Sequence, residues 1–208
     1  MVDRAGSDAI KPRIESMPMW WRPEVEGTAS IRSASGPFMQ AFAERVKAGL
    51  LTGRPHARSN YVLDRAQPDQ LFVRAADWKT AINVGLNQLE LRHVPPDRIR
   101  YTVRYWRWAQ YSLGLSAAIG LIGLALLLGT DARGYIARNP NSMIPGLSVG
   151  QNLAVAWAMA LFWGFVWPWL LIAMHKRPLH QLVARLIAEV DAQAAAAGTR
   201  PSARASKE

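Results

Sequence analysis

The sequence predicts a membrane protein of the α+β class, in which a two-helix transmembrane hairpin carries a small helix-plus-antiparallel-sheet domain and a C-terminal amphipathic helix. Two stretches contain no charged side chain, from Trp108 to Thr130 and from Asn139 to Met174. A helix of a soluble protein needs a polar face, so charge-free runs of this length are rare outside membranes. Basic residues gather beside these stretches, and a short segment of alternating apolar and polar residues precedes the first one.

Each charge-free stretch is long enough to cross a bilayer. About 20 helical residues span a hydrocarbon core of about 30 Å, and residues 109–129 and 152–174 meet that length. Both must be helical, because unpaired backbone groups are not tolerated in lipid. Aromatic side chains near the ends of the spans predict an interfacial belt. Its predicted members are Trp106, Trp108, Tyr111, Trp167 and Trp169.

The basic residues predict the orientation of the hairpin. Five arginines lie shortly before the first span and three basic residues follow the second, whereas the connecting segment 130–151 has only Arg133 and Arg138. Basic residues stay on the cytoplasmic side, so we expect both termini inside and the loop outside. Arginine strongly outnumbers lysine, which is typical of GC-rich bacteria and suggests a bacterial inner membrane. The predicted location is thus a multi-pass protein of that membrane.

Some of these cations are candidates for contact with anionic lipid headgroups, since each basic residue near such a surface contributes about 1 kcal/mol of attraction. The alternative is a solvated face that serves only as a topology signal. The candidates are Arg98, Arg100, Arg104, Arg107, Lys176 and Arg177.

Small residues predict how the two spans meet. Stripes of small side chains allow helix backbones to approach closely in lipid, although alanine and glycine are also simply common in such helices. Pro168 is expected to kink the second span, which is unusually aromatic. The candidate packing residues are Ser116, Gly120, Ala156, Ala160 and Gly164.

The segment before the membrane predicts a disordered tail over 1–35 and a small cytoplasmic domain over 36–107. The domain begins with a helix near Pro37, which Ser35 can cap and Gly53 can end. Strands are expected at Asn60–Asp64 and Gln70–Ala75, with a turn between them.

The stretch 80–93 is ambiguous. Its apolar residues alternate in two sets that are out of phase by one residue, which favours a strand with a bulge. An alternative is a helix in which Asp77 is the cap and Trp78 and Ile82 share a face. The strand after it is the clearest in the chain, because Ile99, Tyr101, Val103 and Tyr105 alternate with polar and basic residues.

The segment after the second span predicts an amphipathic helix over 178–197 and a loose basic tail over 198–208. A break is expected at Arg177-Pro178. The apolar stripe of this helix has spacings of three and four, and acids as well as bases occupy its other faces. We expect it to pack on the cytoplasmic domain or on a second copy of the chain. Its stripe consists of Leu179, Leu182, Val183, Leu186, Ile187 and Val190.

No catalytic, cofactor-binding or metal-binding residue is predicted. The chain has no cysteine, which excludes disulfides and thiolate chemistry. Its four histidines show no metal-ligand spacing. The sequence Gly146-Leu-Ser-Val-Gly150 matches a hydrolase nucleophile motif, but loop-type residues precede it, so we favour Ser148 as a helix cap. Arg and aromatic residues near 98–108 lie against the membrane, which disfavours nucleic acid as a partner.

The order of parts is similar to that of many bacterial inner-membrane proteins, and no residues identify a family. The expected function is that of a non-enzymatic accessory or scaffold subunit, or of a module that binds at the membrane surface. The partners are then a bilayer with anionic headgroups and another protein or a second copy. The alternative is an oligomeric transporter or channel component built from two-helix hairpins, for which polar residues are sparse in both spans.

Overall fold

The structure, a computed structural model, describes residues 22–49, 60–139 and 144–198. The described residues fall into two compact units. The first, here called the sheet unit, comprises the described parts of 22–108 and 175–198. The second, the helical unit, comprises those of 109–174.

The sheet unit contains five strands and two short helices before its C-terminal helical segment. These elements are β1 (Glu24–Ser30), α1 (Ser35–Lys47), β2 (Tyr61–Ala66), β3 (Gln70–Ala75), α2 (Trp78–Val84), β4 (Gln88–Val94) and β5 (Arg98–Arg104). The strands form one sheet in the order β1-β5-β4-β3-β2, in which every neighbouring pair is antiparallel. The predicted α+β class with an antiparallel sheet is therefore confirmed.

One face of the sheet forms the core of the unit. Strand residues alternate between the two faces, and the inward positions on the central strands are fully buried, as are Phe38 and Phe42 of α1. The predicted alternation in β5 is confirmed. The buried strand residues include Leu71, Val73, Leu89, Leu91, Ile99, Tyr101 and Val103.

Strand β1 corrects the prediction of a disordered tail over 1–35. Residues 24–30 pair with β5 along their whole length, from Glu24 opposite Arg104 to Ser30 opposite Arg98. This strand lies at the edge of the sheet. Only Val25 is buried, so the segment contains few large apolar residues. An edge strand of this kind has no strong hydrophobic pattern, which explains why the sequence did not reveal it. Residues 1–21 lie outside the described chain.

The limits of α1 also differ from the prediction. Its N-cap is Ala34, with no side-chain cap, and the helix ends at Lys47. Gly49 follows with a φ of 72°, a left-handed conformation that glycine adopts without strain and that commonly ends helices. The predicted stop at Gly53 lies outside the described residues.

The ambiguous stretch 80–93 contains both the end of a helix and most of a strand. Asp77 caps α2 by accepting a hydrogen bond from the Thr80 amide at 2.7 Å, and Gly85 ends it with a φ of 72°. Strand β4 then begins at Gln88. The preference for a strand throughout was wrong over 80–84, because a local cap outweighed a weak period-two pattern.

The helical unit and the segment after it contain α3 (Trp106–Gly129), α4 (Ala132–Arg138), α5 (Val149–Leu161), a π-helical turn (Phe162–Val166) and α6 (Trp167–Gly198). Two helical stretches, Trp106–Gly129 and Val149–Ala197, are long and apolar enough to cross a membrane. The predicted cap is confirmed at Ser148, whose hydroxyl accepts a hydrogen bond from the Gln151 amide.

Helix α6 corrects the predicted break at Arg177-Pro178, because it continues through Pro178 to Gly198. Proline inside a helix removes one backbone hydrogen bond and is unfavourable by roughly 3 kcal/mol. The burial of Leu179, Val183 and Ile187 immediately afterwards offsets that cost, at about 1.5–3 kcal/mol for each fully buried side chain.

The end of α6 is held on the sheet unit by a buried carboxylate. Asp191 accepts hydrogen bonds from the backbone amides of Arg32 and Ser33 at 2.9–3.0 Å and from the Ser33 hydroxyl at 2.6 Å. Burial raises the pKa of Asp191, but these hydrogen bonds and the charge of Arg32 outweigh it and hold the pKa below its usual value. A second contact joins Arg45 to Glu189 at 2.6 Å.

Candidate functional site

The face of the sheet opposite the core, here called the open face, is rich in charged residues. Its arginines outnumber its acids, and several of the side chains are exposed. The residues of this face on the four strands β1, β5, β4 and β3 are Glu24, Glu26, Thr28, Ser30, Arg98, Arg100, Thr102, Arg104, Gln88, Glu90, Arg92, Val94, Gln70, Phe72 and Arg74.

A shallow depression of about 200 Å³ lies in the middle of the open face. Thr102 of β5 is its centre, and the register places Glu26 of β1 on one side of it and Glu90 of β4 on the other. The next row along the strands holds Arg100 directly opposite Arg92. Two acids and two arginines therefore border one short, uncharged side chain.

Some of the charges on and around the open face form ion pairs within the sheet. Arg104 bonds Glu24 at 3.1 Å, and Arg74 bonds Asp64 at 2.7 Å. Glu90 accepts a hydrogen bond from the Gln70 amide at 2.9 Å and has a longer contact of 3.4 Å with Arg92.

Arg100 and Glu26 differ from these neighbours, because neither forms an ion pair within the described ranges. The depression therefore has both a cation and an anion that its own surroundings leave free.

The six predicted lipid-contacting cations lie on three elements, β5, α3 and α6. Arg98, Arg100 and Arg104 share the open face, and of these Arg98 and Arg100 are exposed. Arg107 lies in the first turn of α3, where its guanidinium is 5.2 Å from the centre of the Trp106 ring, a cation–π geometry. Arg177 is exposed on α6.

Lys176 has a different environment from the exposed cations. It is half-buried on α6, and this burial lowers the pKa of Lys176 by more than the nearby carboxylate of Glu24 raises it.

The predicted interfacial aromatics include one residue with a packing role in the sheet unit. The Trp108 ring stacks on the imidazole of His175, with 4.0 Å between ring centres and an angle of 9° between the planes. Tyr105 meets the same imidazole edge-on at 5.2 Å. Trp106 is half-buried and Tyr111 is exposed, while Trp167 contacts Trp163 at 4.8 Å in the helical unit.

His175 is a packing residue that the sequence did not reveal. Its Nε2 lies 3.3 Å from the Gly85 carbonyl oxygen, so in the neutral ring Nε2 carries the proton and donates. A Cβ on Gly85 would overlap the imidazole, and the φ of 72° at Gly85 also excludes most other residues. The partners are 90 positions apart, and no local pattern marks them.

Small residues bring the two long helices of the helical unit into backbone contact. A Cβ placed on Gly120 would lie 2.5 Å from the Gly164 Cα, and one placed on Gly123 would lie 3.3 Å from the Ala160 Cβ. The helices therefore run in opposite directions at this crossing. Ser116 is also buried, whereas Ala156 remains partly exposed.

The π-helical turn precedes Pro168, the residue that was expected to kink the second span. Proline lacks an N–H, so it cannot donate to a carbonyl of the preceding turn. The Trp167 amide bonds the Phe162 carbonyl five residues earlier, which widens that turn. The aromatic rings of Phe162, Trp163 and Trp167 contact one another there.

Among the described residues, no group of three or more His, Asp or Glu side chains is placed to hold a metal ion. No protein-family model, curated protein or solved structure matches this chain.

Proposed function

We propose that this chain is a multi-pass protein of a bacterial inner membrane that acts as a non-enzymatic accessory or scaffold subunit, with the sheet unit as its binding part. The exposure of the two long apolar helices carries the proposal. Only 17% of the most apolar window of each is buried, and exposed residues include Ile122 at 62% and Leu126 at 60%. Apolar surface of this extent is stable in lipid or against other helices.

The proposed topology places residues 109–129 and 152–174 in the membrane as a hairpin, with both termini in the cytoplasm. The basic residues before the first span and after the second support it, since the segment between the spans has only Arg133 and Arg138.

The absence of cysteine from the chain allows a direct topology test. Single cysteines replace the exposed residues Gln40, Ala137 and Ala188 in separate variants, which are treated in intact cells with a membrane-impermeant maleimide. We expect only the Ala137→Cys variant to be labelled before the cells are opened. Labelling of Gln40→Cys or Ala188→Cys in intact cells would contradict the topology.

The use of the polar groups in the helical unit favours an accessory role over transport. The Asn152 side chain accepts a hydrogen bond from the Ile144 amide at 2.9 Å and donates to the Leu147 and Ser148 carbonyls at 3.2 and 3.1 Å. It is therefore fully used in holding the entry to α5. Neither proposed span contains a charged residue, and charges within spans are the usual markers of ion or proton paths.

Purification of the tagged full chain from native membranes in a mild detergent tests the accessory role. We expect other membrane proteins to accompany it at a fixed stoichiometry, and to be lost when Trp163 and Phe165, both exposed, are replaced by leucine. The matched control replaces Ile119 and Ile122 of α3 by leucine. A homo-oligomer without other subunits would contradict the proposal and favour a transporter or channel component.

A further inference from the structure

The charges around Thr102 lie in two rows of opposite sign. Like charges directly opposite each other on neighbouring strands are unfavourable, yet Arg92 and Arg100 are such a pair. The two flanking acids lie in the adjacent row, two residues further along the strands. The depression thus has a cationic half and an anionic half.

This arrangement differs from a face whose charges serve only for solvation. Each ion-paired arginine of the sheet has a carboxylate on its own strand or on the neighbouring strand, as Arg104 has Glu24. In the depression, Arg100 and Glu26 have no such partner within the residues that the structure describes. A ligand with both charges would pair with both residues at once.

We propose that this depression binds a phosphoryl-amine zwitterion of the phosphoethanolamine class. The phosphate group bonds the guanidinium groups of Arg92 and Arg100, because planar arginine donors suit phosphate oxygens. The primary ammonium group bonds the carboxylates of Glu26 and Glu90. Thr102, whose hydroxyl can both donate and accept, forms the floor.

The ligand can come from two sources, a phosphatidylethanolamine headgroup or a free phosphorylated amine. The lipid source rests on the proposed function, since it requires the sheet unit to act at a membrane surface, whereas the site itself does not. A trimethylated headgroup has no N–H to donate to Glu26 and Glu90, so phosphatidylcholine is expected to bind poorly.

The first arm of the test uses the purified full chain in a mild detergent and calorimetric titration with free phosphoethanolamine. Inorganic phosphate and ethanolamine serve as comparison ligands. The variants are Arg100→Gln and Glu26→Gln, and the matched control is Arg98→Gln, which removes an exposed arginine from the same face of the same strand outside the depression. Circular dichroism spectra check that each variant is folded.

We expect phosphoethanolamine to bind more tightly than either fragment. Its affinity should fall by about tenfold or more in Arg100→Gln and in Glu26→Gln, since a lost charge-assisted hydrogen bond costs at least that factor. It should change little in Arg98→Gln. Equal binding of inorganic phosphate, an equal loss in the control variant, or no binding would overturn the proposal.

The second arm distinguishes the sources. The full chain is reconstituted in nanodiscs of phosphatidylcholine with and without phosphatidylethanolamine, and native mass spectrometry records the retained lipid. Retention of phosphatidylethanolamine by the native chain and by Arg98→Gln, with loss in Arg100→Gln, supports the lipid source. Binding in the first arm without retention in the second supports the site with a free ligand and contradicts a lipid-surface role for this face.

Discussion

The sheet unit and the helical unit distribute their apolar residues in opposite ways. In the sheet unit most large apolar side chains are inside, with Leu71, Leu91 and Ile99 fully buried. In the helical unit large apolar side chains such as Ile122 and Leu126 are exposed, and small residues occupy the helix contact.

This difference supports the proposal that the sheet unit lies in water and the helical unit in lipid. Burial of apolar side chains stabilises a fold only where the alternative is contact with water. In lipid this driving force between helices is missing, and close backbone packing of small residues replaces it. The predictions below test the contrast, in order of decreasing expected effect.

Truncation of a leucine should destabilise the sheet unit much more than the helical unit. Leu91→Ala removes a fully buried side chain of β4 and is expected to destabilise the sheet unit by about 2–5 kcal/mol. Leu126→Ala, at a position 60% exposed on α3, should change stability by less than about 0.5 kcal/mol. Hydrogen exchange of the β4 amides and of the α3 amides in a mild detergent measures the two effects separately, and similar losses for the two variants would refute the contrast.

Enlargement of a glycine should be costly only at the helix crossing. A side chain at Gly120 meets the backbone of Gly164, whereas nothing lies within 4 Å of a Cβ placed on Gly114 of the same helix. We expect Gly120→Leu to destabilise the crossing by about 1–3 kcal/mol and Gly114→Leu to have little effect.

Disulfide formation between cysteines at positions 123 and 160 measures this crossing, since a Cβ placed on Gly123 lies 3.3 Å from the Ala160 Cβ, close to the separation that a disulfide requires, and the chain has no other cysteine. Cross-linking should slow in the Gly120→Leu background alone. Equal rates in the Gly120→Leu and Gly114→Leu backgrounds would show that Gly120 does not support the contact.

The carboxylate of Asp191 should stabilise the sheet unit in a pH-dependent way. Asp191→Asn leaves buried amide donors with a poorer acceptor, and we expect a loss of about 1–3 kcal/mol at neutral pH. The control Glu189→Gln breaks an ion pair whose acid is 57% exposed, so its effect should stay below about 1 kcal/mol.

The sign of the pH dependence follows from the lowered pKa of Asp191. A carboxylate with a pKa below its unfolded value of about 4 contributes its full stabilisation above that pH and loses it as the pH falls through the lowered pKa. The difference in unfolding free energy between the native chain and Asp191→Asn should therefore be constant near neutrality and shrink in acid. A difference that persists unchanged at low pH would refute this role.

Local patterns were sufficient for much of the fold. Strand β5 has a strict period of two and was predicted with its buried face. The two apolar stretches were long enough to be predicted as membrane-spanning helices. Strand β1 and the first half of 80–93 were missed, because an edge strand has little hydrophobic pattern and a seven-residue helix depends on its cap. The candidate depression needed β1, so Glu26 could not be assigned to it beforehand.

The sequence by itself determined which segments are apolar, which strand faces are charged and which helix positions are small, because these properties depend on residues that are near one another in the chain. Tertiary structure alone decided that Glu26, Thr102 and Glu90 form one row, that His175 stacks on Trp108, and that α6 continues through Pro178. These outcomes depend on pairings between distant segments, whose energies exceed the local preferences that a sequence displays.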